Sequence, residues 1–223
     1  MHVKRAVPML LLLLASCGQT STADVVRVMV WPIPVPDGLF GNQPREREAR
    51  WDNAAPVAQP AQPALSLSLG SRQAVARLYQ DGGDRRLWRT PGNLVVATEG
   101  ARVVATAGLP EMVAATRFDG PDPLSDPRAL SGGEAQSRRI IDLMRSGRQP
   151  DGMRFGLFLD CTLRIAEGDA EALLVEEQCE GDARFTNRFW VNPDNGAVFR
   201  SEQWIGRWLP PLVVEVLSPP PAN

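Results

Sequence analysis

The sequence predicts a mainly β protein, an antiparallel meander with one short helix, and three observations carry that expectation. From Leu65 onward, short β-type runs alternate with turn residues. Asp81-Gly82-Gly83-Asp84 and Asn195-Gly196 are strong turn signals, the second supplying the positive φ angles of a tight hairpin. Only Glu134 to Arg145 has a helix-like period.

Ala74 to Gln80 alternates weakly and stops at the Asp-Gly-Gly-Asp turn. Arg86 to Thr90, Leu94 to Thr98 and Arg102 to Ala107 follow as strands, punctuated by Pro91-Gly92-Asn93 and Glu99-Gly100. Phe118 to Ser131 reads as loop because Asp119-Gly120-Pro121, Pro123 and Pro127 break any regular element. Glu134 to Arg145 reads as the helix: Ile140, Ile141 and Met144 fall on one side, Arg138, Arg139 and Asp142 mostly elsewhere, and Gly147 stops it. Phe185 to Val191 and Ala197 to Trp204 form a hairpin around Asn192 to Gly196. Leu212 to Leu217 is the last strand, ended by Pro219, Pro220 and Pro221.

Phe155 to Ile165 and Leu173 to Cys179 flank Glu167-Gly168-Asp169 as another hairpin. If its pairing centres near Ala170, Cys161 faces Cys179 and the pair can form a disulfide; the alternative is two buried free thiols. A zinc site needs four ligands, and the sequence offers no such set. No metal and no cofactor is expected.

The N-terminus carries the clearest functional signal. Met1 to Arg5 is positively charged, Ala6 to Leu14 is an apolar run too short to span a bilayer, and Leu14-Ala15-Ser16-Cys17 follows directly. This resembles the bacterial lipoprotein signal, which implies removal of residues 1–16 and acylation of Cys17, palmitate included. Gly18 is not the aspartate that retains such proteins in the inner membrane, so the resemblance implies the periplasmic face of the outer membrane. Residues 17–64, rich in Ala, Gln and Pro, read as a tether to a β domain over 65–223, with Val25 to Trp31 as a candidate edge strand. A flexible chain of about 48 residues spans ~35 to 40 Å root-mean-square.

The only histidine and the only lysine, His2 and Lys4, lie in the segment to be removed. The mature chain therefore lacks the commonest general base, Schiff-base chemistry and a P-loop lysine. Its 22 basic residues are all arginine and are outnumbered by 26 acidic ones, so nucleic acid is not an expected partner.

Leu87-Trp88-Arg89-Thr90, Val103-Val104-Ala105-Thr106-Ala107-Gly108-Leu109, Glu176-Glu177-Gln178-Cys179, Asn187-Arg188-Phe189-Trp190-Val191-Asn192 with Gly196, and Arg200-Ser201-Glu202-Gln203-Trp204 run in the order seen in the YjbF/GfcB family of capsule and exopolysaccharide lipoproteins. The resemblance covers roughly residues 73 to 217; the long proline-rich tether departs from it. It implies a barrel-like or rolled antiparallel sheet, no assigned catalytic residues, and a role in polysaccharide secretion beside an outer-membrane barrel protein and a periplasmic partner.

Read from the residues, Trp88, Trp190, Arg200, Gln203, Trp204 and Trp208 are either a sugar-stacking or partner-docking surface or simply core. The glycan itself is a candidate ligand. An enzyme would have to rest on Asp160, Glu176 and Glu177, yet adjacent Glu176 and Glu177 point to opposite faces of a strand and cannot form a glycosidase pair together. A general envelope assembly factor that never touches glycan is the other reading.

Overall fold

The computed structural model describes residues 51, 62–146, 152–166 and 171–221. The signal segment, Cys17, the Val25 to Trp31 strand, Gly147 and the turn at 167–169 lie outside the described residues. Twelve strands form one antiparallel sheet: β1 (Ala64–Leu69), β2 (Arg72–Asp81), β3 (Arg85–Arg89), β4 (Val95–Glu99), β5 (Arg102–Ala107), β6 (Glu111–Asp119), β7 (Ala135–Arg145), β8 (Arg154–Ile165), β9 (Leu173–Gly181), β10 (Phe185–Val191), β11 (Val198–Gln203) and β12 (Leu212–Ser218). Their order is β5-β4-β3-β2-β1-β12-β11-β10-β9-β8-β7-β6, so every neighbouring pair is consecutive in sequence except β1 and β12. Such a meander rolls until its ends meet.

The two edge strands, β5 and β6, lie side by side, which makes the sheet a nearly closed barrel. No ladder joins them. Side chains stitch the seam instead: the Val113 amide donates to Thr106 Oγ1 at 3.0 Å. Gln203 reaches across from β11, its Nε2 donating to the Ala101 carbonyl at 2.8 Å and its Oε1 accepting from the Val103 amide at 2.9 Å. One side-chain amide thereby satisfies the donor and acceptor that a neighbouring strand would otherwise satisfy.

Several elements depart from the sequence reading. Residues Glu134 to Arg145 are not helical: Ala135–Arg145 is strand β7, with Arg139, Ile141 and Leu143 buried at period two. The helical pattern arose because Ile140 is apolar on the outer face, opposite Phe158, while charged Arg139 points inward. Two short 3-10 segments, Pro123–Ser125 and Pro127–Gly132, lie in the stretch read as loop. Asp122 caps the first, accepting from the Leu124 amide. Strands β1 and β6 were not anticipated. β6 carries a bulge between Val113 and Ala115 that breaks its alternation.

The inward residues form a main cluster around Leu67, Trp88, Leu94, Leu143, Leu159 and Leu212, and a smaller one around Phe189, Leu163 and Leu130. Trp51, from the segment read as tether, packs against the main cluster. The segment after β11 lies at one end, where Glu111 accepts from the Arg207 and Trp208 amides and Ile205 is buried. The opposite end, carrying the β2–β3, β4–β5 and β10–β11 turns, is the mouth.

Candidate functional site

Below the mouth the interior holds a layer of charge. Arg102 of β5 and Glu177 of β9 both point inward, with Arg102 Nη1 2.8 Å from the Glu177 carboxylate. Arg139 of β7 approaches the same carboxylate at 3.2 Å, and Asn187, opposite Glu177 on β10, donates to it at 2.6 Å. The remaining side of the Arg102 guanidinium grips Asp122 through a two-point contact of 2.6 and 2.9 Å. Its faces lie 5.2 Å from the Phe118 and Phe189 rings.

Burial alone would raise the Glu177 carboxyl, but Arg102 and Arg139, helped by the hydrogen bonds from Arg102 and Asn187, outweigh it and hold the group down at about 2. Burial lowers Arg102 as well, and there Glu177 and Asp122 outweigh it, so that guanidinium is held above its ordinary range. Arg139 is lowered to about 10 by burial, which Glu177 only partly offsets, with Arg102 adding to the effect. Glu177 is thus an ionised carboxylate paired with two arginines, poorly suited to proton transfer near neutral pH.

The carboxylates of the enzyme reading are not brought together. Glu176 points outward between Arg164 and Arg188, and Asp160 lies across from Glu180, paired with Arg138. Cys161 and Cys179 face each other in register and are bonded as a disulfide, with Cα atoms 4.1 Å apart. Their sulfurs lie close to Glu177, but with the two bonded to each other and the carboxylate held by arginines, this trio does not offer a metal its donors.

The mouth itself contains a cleft of about 590 Å³. Trp88, Leu65 and Val214 are buried along it, and Phe199 and Val216 line its rim. Trp88 is held by its indole N–H, which donates to Thr98 Oγ1 at 2.9 Å.

The six residues proposed from sequence are distributed around the barrel. Trp88 and Gln203 are buried, so neither belongs to an exposed binding surface: Trp88 borders the mouth from inside, and Gln203 is the crossbar of the seam. Trp190 and Arg200 do meet, on the outer wall, with the guanidinium 4.9 Å from the indole centroid and bonded to Glu215. Trp204 is half-buried, stacked on Phe185 at 4.4 Å. Trp208, 75% exposed, stands at the end away from the mouth. The chain leaves strand geometry after Gln203, so Trp204 and Trp208 do not lie on one strand. Arg102, Asp122 and Arg139 were missed as a cluster; a lone arginine within the apolar Arg102–Ala107 strand was the available signal.

A family model for the group 4 capsule polysaccharide lipoproteins GfcB and YjbF matches residues 45–217. The chain belongs to that family. The YjbF/GfcB match starts upstream of the first strand and takes in Trp51, which packs on the barrel core. Among solved structures, the hypothetical lipoprotein YmcC from Escherichia coli K12 is similar at 19% identity and a TM-score of 0.63, over 92% of this chain and 100% of that one. That likeness shows a shared fold. No curated protein matches the chain.

Proposed function

We propose that this YjbF/GfcB family member is a non-catalytic lipoprotein of the outer membrane, periplasmic face, which assists capsule or exopolysaccharide secretion through contacts with an outer-membrane barrel protein and a periplasmic partner. Membership of a capsule polysaccharide lipoprotein family supports the process. The signal pattern ending at Cys17 supports the anchor, and the tether gives the domain reach. The observation that carries the non-catalytic part is Glu177: the buried inward carboxylate of the proposed acid trio is clamped by two arginines, while Glu176 and Asp160 lie in ion pairs on the outer wall.

The test is in-cell photocrosslinking from position 208, paired with an assay of the purified protein on capsule oligosaccharides. Crosslinks to an outer-membrane barrel protein or periplasmic secretion partner without cleavage of the glycan are expected. Cleavage would overturn the reading in favour of a hydrolase. Crosslinks only to unrelated envelope proteins would favour a general assembly factor.

A further inference from the structure

We propose that the barrel mouth binds the aliphatic chain of an amphiphile whose uncharged, polyhydroxylated head sits in the more polar cleft beside it, the chemistry of a glycolipid. In naming a sugar head the proposal rests on the export reading above.

Phe199 and Val216 are the starting point. Phe199, left unpaired at a register shift in β11, lines the cleft, and Val216 stands opposite buried Leu65, so both face the same space. They are 41% and 37% exposed. Apolar side chains placed there that stay exposed face a space that protein atoms do not fill. That space is the cleft of about 590 Å³, within the range of small-molecule sites, and barrel mouths are a common place for them.

A second cleft of about 430 Å³ adjoins it, sharing Arg86, Gly100, Ala101, Leu124 and Ser125. Its lining is the more polar of the two, with Asp84, Glu99 and Asp122 among the contributors. The guanidiniums there already have carboxylate partners: Arg102 grips Asp122 and Glu177, and Arg86 reaches Asp81 through Nε at 3.3 Å. A phosphate head would meet carboxylates with no uncommitted cation among these residues. Hydroxyl groups would find acceptors, since a carboxylate oxygen takes more than one hydrogen bond. The two halves together match an apolar chain joined to a neutral sugar.

The described chain enters β1 at this end, Ala64 lying across from Ser218.

The experiment uses the chain from residue 17 with Cys17→Ser, titrated with dodecyl maltoside below its micelle concentration, and with dodecyl phosphate and maltose for comparison. Saturable one-to-one binding of dodecyl maltoside is expected, weakened about tenfold or more by Phe199→Asp with Val216→Asp, because a charge is driven into the apolar half. Trp208→Ala, at the far end, should leave affinity unchanged. A dodecyl maltoside with a brominated chain should quench Trp88 fluorescence, a signal that Trp88→Phe removes; this readout stands even if the double variant misfolds. No saturable binding, equal affinity in the folded double variant, or quenching that survives Trp88→Phe would overturn the site. Equal binding of dodecyl phosphate would overturn the head assignment. Because this is binding in vitro, its failure leaves the export reading to be judged by secretion, and the reverse.

Discussion

Arg102 Nη1 and the Glu177 carboxylate, 75 positions apart in sequence, meet at 2.8 Å inside the barrel, with side chains 1% and 0% exposed. The pair ties β5, an edge strand at the seam, to β9 on the far part of the sheet. Removing one partner leaves the other charge buried. Glu177→Gln would leave two guanidiniums short of their counter-ion and should cost about 3–5 kcal/mol. Urea unfolding reads this directly; a loss below about 1 kcal/mol, the scale of a surface pair, would refute it.

The same carboxylate sets an acid limit. Its folded value, about 2, lies below the ordinary 4.5, so the unfolded chain takes up the proton first as pH falls. The stabilisation is fully present above about pH 4.5 and is lost as pH falls toward 2. Midpoints of thermal unfolding measured across that window should drop, and Glu177→Gln should remove part of the slope. An unchanged slope in the variant would show that other carboxylates govern acid unfolding.

The Cys161–Cys179 bridge closes a loop across 18 positions of sequence. Reduction should lower stability by about 3 kcal/mol while leaving a β-type far-UV spectrum, because most of the core lies elsewhere. Loss of the β signal on reduction would mean that the barrel depends on the bridge.

Gln203 is predicted to act on the fold and not on a ligand. Gln203→Leu leaves the Ala101 carbonyl and Val103 amide at the seam without this partner and should cost about 1–3 kcal/mol. Faster hydrogen exchange at the Val103 amide would mark the seam opening. Unchanged protection there would contradict the crossbar role.

The parts of this fold that were legible in the sequence are those written locally. The Asp81-Gly82-Gly83-Asp84 and Asn192 to Gly196 turns and the hairpin that sets Cys161 against Cys179 need only neighbours along the chain. β7 was misread because its inward face includes Arg139, whose reason for burial is Glu177 on another strand. The charged layer was invisible for the same cause: Asp122 and Glu177 stand 20 and 75 residues from Arg102, and no spacing rule links them. The six candidate binding residues shared polarity and aromatic character, but strand parity and the turn after Gln203 sent them to the interior, the outer wall and one end.

We propose, centrally, a membrane-anchored, non-catalytic factor in polysaccharide export. The measurement that tests it most directly is the amount of surface and secreted polysaccharide in a deletion strain carrying either the wild-type gene or Cys17→Ser at matched protein levels. The account predicts that deletion lowers export, that wild type restores it, and that Cys17→Ser, lacking the anchor, does not. Export unchanged by the deletion would contradict it.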